Sequence, residues 1–513
     1  MVFFKNSLGN NTNRIAKNTV FLYMRMAIMM LIGLYTSRVV LNVLGVEDYG
    51  TYNVVGGVVS MFSILTAALS SSISRFLTFE LGKGGGERLE RVFSTALNVQ
   101  ILISIIVVVG IELLGVWFLN THMEIPEGRL GAANWVLQCS AFTFVVGLLM
   151  VPYNASIIAH ERMSIYAYVS IWDAVMKLVI VFALYISPFD KLKSYAVLLL
   201  CVSTITTLIY WTYCKRHFKE CTYRRVHDKT LFKEITGYAG WGMVGDGAWI
   251  MNTQGVNLLI NLYFGVSLNA ARGIATTVDN SVQNFVRNFM VALNPQITKS
   301  YAAGDFEYMH KLVFLGSKYS YFLMLIFMIP ICLETRLILT LWLKIVPDYA
   351  VIFAQLSLVA SMFMTLGNTL TTSVAATGKI KKFEMVVGSM LVSIFPLTWL
   401  AFQLGLSPVS AYVICVLVFF AMIFARILIV KDMIHMSGWA YVNNVLLKAL
   451  YVTVISLVLP VTICLLQPSS IWRLIEICAV SFVCTLSAIY YVGMNKEEQD
   501  YIVGMLKKKF GKS

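Results

Sequence analysis

Eight cationic residues fall inside stretches otherwise built from aliphatic and aromatic side chains: Arg25, Arg38, Lys177, Arg272, Arg287, Arg336, Arg426 and Lys448. At the centre of a bilayer each would cost about 2.5–3.5 kcal/mol. Eight facing hydrocarbon would therefore cost about 20–28 kcal/mol, against a typical folding stability of about 5–15 kcal/mol. Arg38, Arg426 and Lys448 lie near the ends of their stretches and are expected to snorkel to the surface. The deeper ones must face protein or water. Arginine pairs bidentately with oxyanions, so Arg25, Arg272 and Arg287 are candidate anion ligands.

Helical spacing sharpens this reading. At about 100° per residue, Arg272, Thr276, Asp279, Asn280, Gln283 and Arg287 form one polar stripe along residues 270–298. The preceding stretch carries a second stripe, Asp246, Thr253, Gln254, Asn257 and Asn261. Arg25 and Thr36 share a face nearer the beginning, followed by a small-residue stripe of Asn53, Ser60, Ser63, Ser71 and Ser74. Stripes this long are expected to line a water-filled cavity rather than only glue helices together. Asp246 and Asp279 are the acids best placed to titrate with a coupling proton or sodium ion. Asp173 and Lys177, four residues apart, read as a structural ion pair. Glu334 and Arg336 read as a snorkelled pair, and Glu112 and Glu476 as interfacial or helix-paired acids.

The elements that must position these groups follow from composition. Of 513 residues 58% are hydrophobic and only 13% charged, about half the charge of a soluble domain. Such a chain must use lipid as part of its solvent, and only helices or closed barrels satisfy the backbone there. Apolar runs of about 20 residues without strict alternation select helices. The expected fold is an all-α polytopic membrane protein of about fourteen spans. They run Asn18–Leu44, Tyr52–Ser74, Val92–Leu119, Ala132–Ile158, Ile165–Ile186, Tyr195–Cys214, Tyr238–Tyr263 and Ala270–Thr298. The remainder are Tyr319–Leu341, Ala350–Ala376, Met385–Leu404, Val409–Val430, Val445–Leu466 and Leu474–Val492.

Charge sets the orientation. The net charge is +14, and most Lys and Arg fall in alternate loops, above all Lys215–Lys233 and the tail Lys507–Lys509 with Lys512. The loop holding Glu124 and Glu127 is acidic and expected outside. By the positive-inside rule both ends lie in the cytoplasm, so the basic charge reports topology and not nucleic-acid binding. The first span is too long for a signal-peptide core and is read as retained.

Other chemistry finds no support. The nine cysteines form no Cys-x-x-Cys pair, and the six histidines show no zinc spacing. Gly82-Lys83-Gly84-Gly85-Gly86 opens no strand-to-helix turn and reads as a flexible loop, so no phosphate cradle and no ATPase or hydrolase motif is present. No cofactor or metal is expected beyond a coupling ion.

The basic stretch 215–234 separates residues 18–214 from 235–430, two groups of six spans. A cytoplasmic segment 1–17 precedes them; two extra spans within 431–493 and a tail 494–513 follow. The halves share a short repeat. Ala68-Leu69-Ser70-Ser71-Ser72-Ile73-Ser74-Arg75 matches Ala292-Leu293-Asn294-Pro295-Gln296-Ile297-Thr298-Lys299 in its apolar positions, hydroxyl and final cation. Upstream, Leu41-Asn42 and Gly45-Val46 resemble Ile260-Asn261 and Gly265-Val266. The same orientation of both copies implies parallel, pseudo-two-fold lobes.

Four further stretches carry a resemblance. They are Leu44-Gly45-Val46-Glu47-Asp48-Tyr49-Gly50-Thr51-Tyr52, Pro152-Tyr153-Asn154 running to Ala159-His160-Glu161-Arg162-Met163, Asn294-Pro295 running to Ala303-Gly304-Asp305, and Ala375-Ala376-Thr377-Gly378-Lys379. With the 6 + 6 + 2 layout, the chain resembles the polysaccharide transporters of the multidrug/oligosaccharidyl-lipid/polysaccharide (MOP) exporter superfamily. The resemblance implies a two-lobed, MATE-like fold in the bacterial inner membrane. It also implies a flippase that moves undecaprenyl-diphosphate-linked oligosaccharide by alternating access for O-antigen (lipopolysaccharide), capsule or exopolysaccharide assembly. Arg25, Arg272 and Arg287 suit its diphosphate; Gln283, Asn280 and Asn257 suit sugar hydroxyls. Membrane lipids and a polysaccharide polymerase are the partners to expect. An ion-coupled multidrug antiporter of the same fold is the alternative, although spans one and two lack the unpaired acid it should carry. A membrane glycosyltransferase or ligase would need large outer loops with acid or His, which the spacing does not leave room for.

Overall fold

The computed structural model describes residues 62–121, 128–225, 228–264, 266–343 and 346–500, with positions 18, 20–29, 32, 35–36, 39–40, 43–45, 48, 51–52, 55–56, 59 and 503. The expectations for Arg38, Asn53, Ser60, Glu124, Glu127 and Lys507–Lys509 with Lys512 fall outside these residues, as do the side chains of Ser63 and Asn261. The described residues are almost entirely helical and hold no strand. The all-helical membrane fold is therefore present.

Ten of the described helices are long and apolar enough to cross a membrane, from Glu87–Thr121 to Ile471–Gly493. They coincide with spans three to six and nine to fourteen. Spans seven and eight are present as long helices too. Lys229–Ile250, the π-turn Met251–Gly255 and Val256–Phe264 form one, and Val266–Ala302 the other. Their polar stripes keep them below the apolarity of the other ten. Span eight extends past both ends expected from its apolar residues.

Local chemistry sets the helix ends. Asp190, Asp305 and Ser470 accept the backbone N–H of Lys193, Tyr308 and Arg473 at helix starts. Gly378 ends Asn368–Thr377 in the left-handed conformation, φ +76°. Pro152, Pro295, Pro330, Pro396 and Pro460 all sit inside helices. Proline removes one ladder bond, and membrane helices tolerate it because neighbouring hydroxyls and local adjustments re-satisfy the backbone. In the turn after Pro152, the Ser156 hydroxyl donates to the Pro152 carbonyl at 2.9 Å, adding a side-chain bond to the ladder there.

The chain divides into two compact units, residues 1–243 with 298–304 and residues 244–297 with 305–513. In the first, Leu130–Ala159 packs along Lys191–His217. Val55, Val107, Ile111, Ala133, Val136, Leu137 and Leu148 form its core. Outward side chains such as Leu113, 68% exposed, and Ile186, 87% exposed, give it a face suited to lipid. The last turn of Val266–Ala302 belongs to this unit. A Cβ on Gly82 would lie 2.7 Å from the Lys299 Cα, and the Phe79 and Tyr301 rings lie 6.2 Å apart. The ends of the two segments paired by the internal repeat thus pack against each other, and only glycine fits at Gly82.

In the second unit, Ala350–Leu366 packs on Val409–Met433, and the C-terminal helices pack on each other and on Phe306–Leu333. Two buried ion pairs fasten that last hairpin. The Arg473 guanidinium meets Glu334 at 2.5 Å and also donates to the Cys464 and Gln467 carbonyls; the Lys318 amine meets Glu498 at 2.7 Å. This corrects the expected Glu334–Arg336 pair. Glu334 takes a cation from 139 positions away, and Arg336 is exposed. Sequence proximity misled there because the buried carboxylate needs a cation within the packed interior, and Arg336 is exposed.

Candidate functional site

The polar stripes of spans seven and eight meet inside the second unit. The π-turn at Met251–Gly255 interrupts the helix where Asn252, Thr253 and Gln254 follow one another. Such bulges alter which carbonyls the helix itself uses. The Thr253 carbonyl accepts a hydrogen bond from the Arg272 guanidinium at 2.9 Å, and the same guanidinium lies 5.6 Å from the centre of the Tyr412 ring. Arg272 is thus half-buried and held in place by a backbone dipole and an aromatic face. No carboxylate neutralises it among the described residues. Asn252, buried and next to Thr253 in the chain, accepts a long 3.7 Å hydrogen bond from the Cys415 thiol.

Farther along Val266–Ala302, Arg287 is exposed and donates to the Asn280 side-chain oxygen at 3.0 Å. Those two stripe residues, seven apart, therefore act together. Gln283 and Asn257 are half-buried. Asp279 lies in the field of Arg287. Its Oδ1 is buried without a hydrogen-bond partner among the described residues. Near the end of the stripe, Asn294 accepts from the Thr372 hydroxyl at 2.9 Å, linking a motif stretch to the helix that leads into another.

Asp246 belongs to a group that sequence spacing does not reveal. Glu384, in the first turn of Lys381–Gln403, presses its carboxylate onto Gly245: a Cβ there would collide with Glu384 Oε2. Asp246 and Arg426 both act electrostatically on Glu384. Arg426 is 3% exposed, which overturns its expected snorkelling. Its Nη1 fills the space that a Cβ on Gly367 would take, and it donates to the Met364 carbonyl at 3.4 Å. The notch left by Gly367 admits the guanidinium, so the charge is buried instead of reaching the surface. The one available signal was a glycine opposite a long cation, and only tertiary packing pairs them.

In the first unit, Arg25 is half-buried with its guanidinium 4.6 Å from the centre of the Tyr166 ring. Asp173 and Lys177 form the expected ion pair at 2.7 Å, and the Thr206 hydroxyl adds a bond to Asp173 at 3.1 Å. Outside the spans, Arg129 bridges Asp48 and Asp190. The hydrogen bond to Asp48 holds the Arg129 guanidinium above its ordinary pKa. Burial works against ionisation of Asp190, but bonds from the Lys193 N–H and Arg129 outweigh it and hold that carboxyl below its ordinary value. Burial opposes ionisation of Glu220 in the same way, and the hydrogen bond from His160 holds it low.

Known proteins share the family and the fold. The family model described as "Polysaccharide biosynthesis protein" matches residues 15–300. An uncharacterized membrane protein of Bacillus subtilis (strain 168), EpsK, is 21% identical over 271 residues, covering 52% of this chain and 53% of that protein. The chain thus matches about half the length of that relative. The fold is that of solved MATE transporters. A mutant of the Vibrio cholerae MATE transporter VcmN aligns with a TM-score of 0.68 at 14% identity, over 84% of this chain and 98% of that one. A Pyrococcus furiosus MOP-superfamily transporter, described as having a binding pocket of reverse polarity, aligns at 0.67 and 13% identity over 84% and 96%. A MATE structure in the straight conformation aligns at 0.70 and 13% identity over 83% and 96%. A helical membrane chain with this fold, matched by the family model over more than half its length, belongs to the polysaccharide biosynthesis protein family and shares the fold of MOP-superfamily transporters.

Proposed function

We propose that this protein is a flippase that carries undecaprenyl-diphosphate-linked oligosaccharide across the bacterial inner membrane by alternating access. The observation that carries the reading is the family match in a chain with a transporter's fold. The side chains agree with it chemically. Arg25, Arg272 and Arg287 offer guanidinium forks to a diphosphate, and Gln283, Asn280 and Asn257 offer amides to sugar hydroxyls. The prenyl tail stays in lipid while the head group crosses. Both ends of the chain lie in the cytoplasm, and two six-helix lobes, 18–214 and 235–430, alternate in access. The carboxylates of Asp246, Glu384 and Asp279 exchange a coupling proton or sodium ion.

Reconstitution tests this. Vesicles holding a fluorescent undecaprenyl-diphosphate oligosaccharide in both leaflets are treated with a membrane-impermeant reductant that bleaches the dye. With the protein present, the whole pool should bleach; without it, only the outer half. Bleaching limited to the outer half, together with efflux of a cationic dye, would replace the flippase by a multidrug antiporter.

A further inference from the structure

The first unit carries an open cavity of about 510 Å³ that none of the polar stripes lines. Trp135, in the second turn of Leu130–Ala159, and Phe189, just before Lys191–His217, form its upper wall. Leu198, two turns into the second helix, continues the wall downward. The polar members are Lys193, Ser187 and Ser194. Trp135 is 51% and Phe189 76% exposed. Large aromatic rings at paired helix ends are at home where acyl chains give way to headgroups.

The charge beside them is uncommitted. Arg129, at the same end of the unit, is taken up by Asp48 and Asp190. Lys193 is exposed, and among the described residues no carboxylate pairs with its amine. The Asp190 carboxylate accepts from the Lys193 backbone N–H instead. The cavity therefore presents one ammonium and two hydroxyls above an apolar wall. That is the complement of an amphiphile with a singly charged head and a hydrocarbon chain.

We infer that this cavity holds the phosphodiester headgroup of an anionic phospholipid. The Lys193 amine pairs with the phosphate, the hydroxyls of Ser187 and Ser194 donate to its oxygens, and the acyl chain lies along Trp135 and Leu198. Charge selects this occupant. A phosphodiester carries one negative charge and is matched by one amine, whereas a prenyl diphosphate would leave negative charge uncompensated. By the charge bias of the loops, these helix ends face the outer leaflet. The site is thus a lipid anchor for the first unit, separate from the cargo's path and independent of the proposed transport activity.

The test uses the purified full-length protein and a photoactivatable phosphatidylglycerol, with cross-linked peptides mapped by mass spectrometry. Cross-links should map to residues 130–140 and 187–198. Lys193→Ala should lower the yield there about fivefold, the loss of one near-surface charge contact. Lys191→Ala, close by and not lining the cavity, should not, and melting temperatures report that both variants remain folded. Undiminished cross-linking in Lys193→Ala would overturn the inference. So would equal labelling by a phosphatidylcholine probe, or displacement of phosphatidylglycerol by undecaprenyl diphosphate, which would assign the cavity to cargo.

Discussion

The Glu161 carboxylate, with no part of its side chain exposed, takes the Lys299 ammonium at 2.7 Å across 138 positions of sequence. Both residues lie in or beside the stretches that carry the family resemblance. Glu161 stands at φ +58°, a left-handed conformation that disfavours side chains by about 1–2 kcal/mol. A glutamate in a place that suits glycine points to its side chain being required there. Its backbone carbonyl also accepts from Asn18 at 3.3 Å, so one turn gathers the beginning of the chain and the end of Val266–Ala302.

Removing Lys299 takes away the cation that meets the buried Glu161 carboxylate, at a cost of up to about 3–5 kcal/mol. Lys299→Ala should therefore lower the melting temperature of the solubilised protein markedly. Adding Glu161→Gln should restore much of it, because the amide carries no charge. A single variant that melts like wild type would show that the ion pair does not hold the fold together at this turn.

The Arg129 bridge predicts a dependence on pH. Asp190 is held below its ordinary value of 3.8. Its contribution to stability is therefore fully present above that value and is lost as the pH falls through the lowered, folded-state pKa. Melting temperature should decline as acidification proceeds below about pH 4. Arg129→Gln should cost about 1–3 kcal/mol at neutral pH and weaken the dependence without abolishing it, because the Lys193 N–H still holds the Asp190 carboxyl low. A variant with the wild-type pH profile would separate Asp190 from Arg129.

Gly367 makes room for a charge. A Cβ there would overlap Arg426 Nη1 and lie 2.8 Å from its Cδ, and the guanidinium has no exposed route to retreat along. Gly367→Ala should destabilise by about 2 kcal/mol or more, overpacking and displacement of a buried charge combined. Gly237→Ala, with open space around its Cβ, is the control. Equal melting temperatures for the two variants would mean that Arg426 has somewhere else to go.

How much of this the sequence made legible depends on the range of each interaction. Periodicity alone identifies the stripes of Arg272–Arg287 and Asp246–Asn257, because side chains on one helix face share a spacing. The Arg287–Asn280 bond and the Asp173–Lys177 pair are local and were readable for the same reason. Glu384 against Gly245, Arg426 in the Gly367 notch and Glu334 with Arg473 were not. Each joins separate helices, and nothing in the spacing of one helix encodes the register of its neighbour. The motif stretches behaved differently again. Asp48, Glu161 and Asn294 all proved to be joints between segments, with Arg129, Lys299 and Thr372. Their resemblance to a family thus reports the fold more directly than the cargo.

The cargo is tested by the arginines. Arg272 has a carbonyl and an aromatic face but no acid, and Arg287 hydrogen-bonds one neutral side chain, Asn280, with the Asp279 carboxylate in its field, among the described residues. A cation held by neutral groups keeps most of its charge for a ligand, whereas one in an ion pair does not. Arg25→Ala, Arg272→Ala and Arg287→Ala should each abolish surface polysaccharide at matched membrane abundance. Lysine at the same positions should retain part of it, since the charge persists and only the bidentate geometry is lost. If all three alanine variants export normally, the arginines are structural and the diphosphate is held elsewhere. Near-normal export by a single variant would remove that residue alone. Arg272 is the one to expect there, because its bonds to Thr253 and Tyr412 already give it a structural task, while exposed Arg287 has none beyond Asn280.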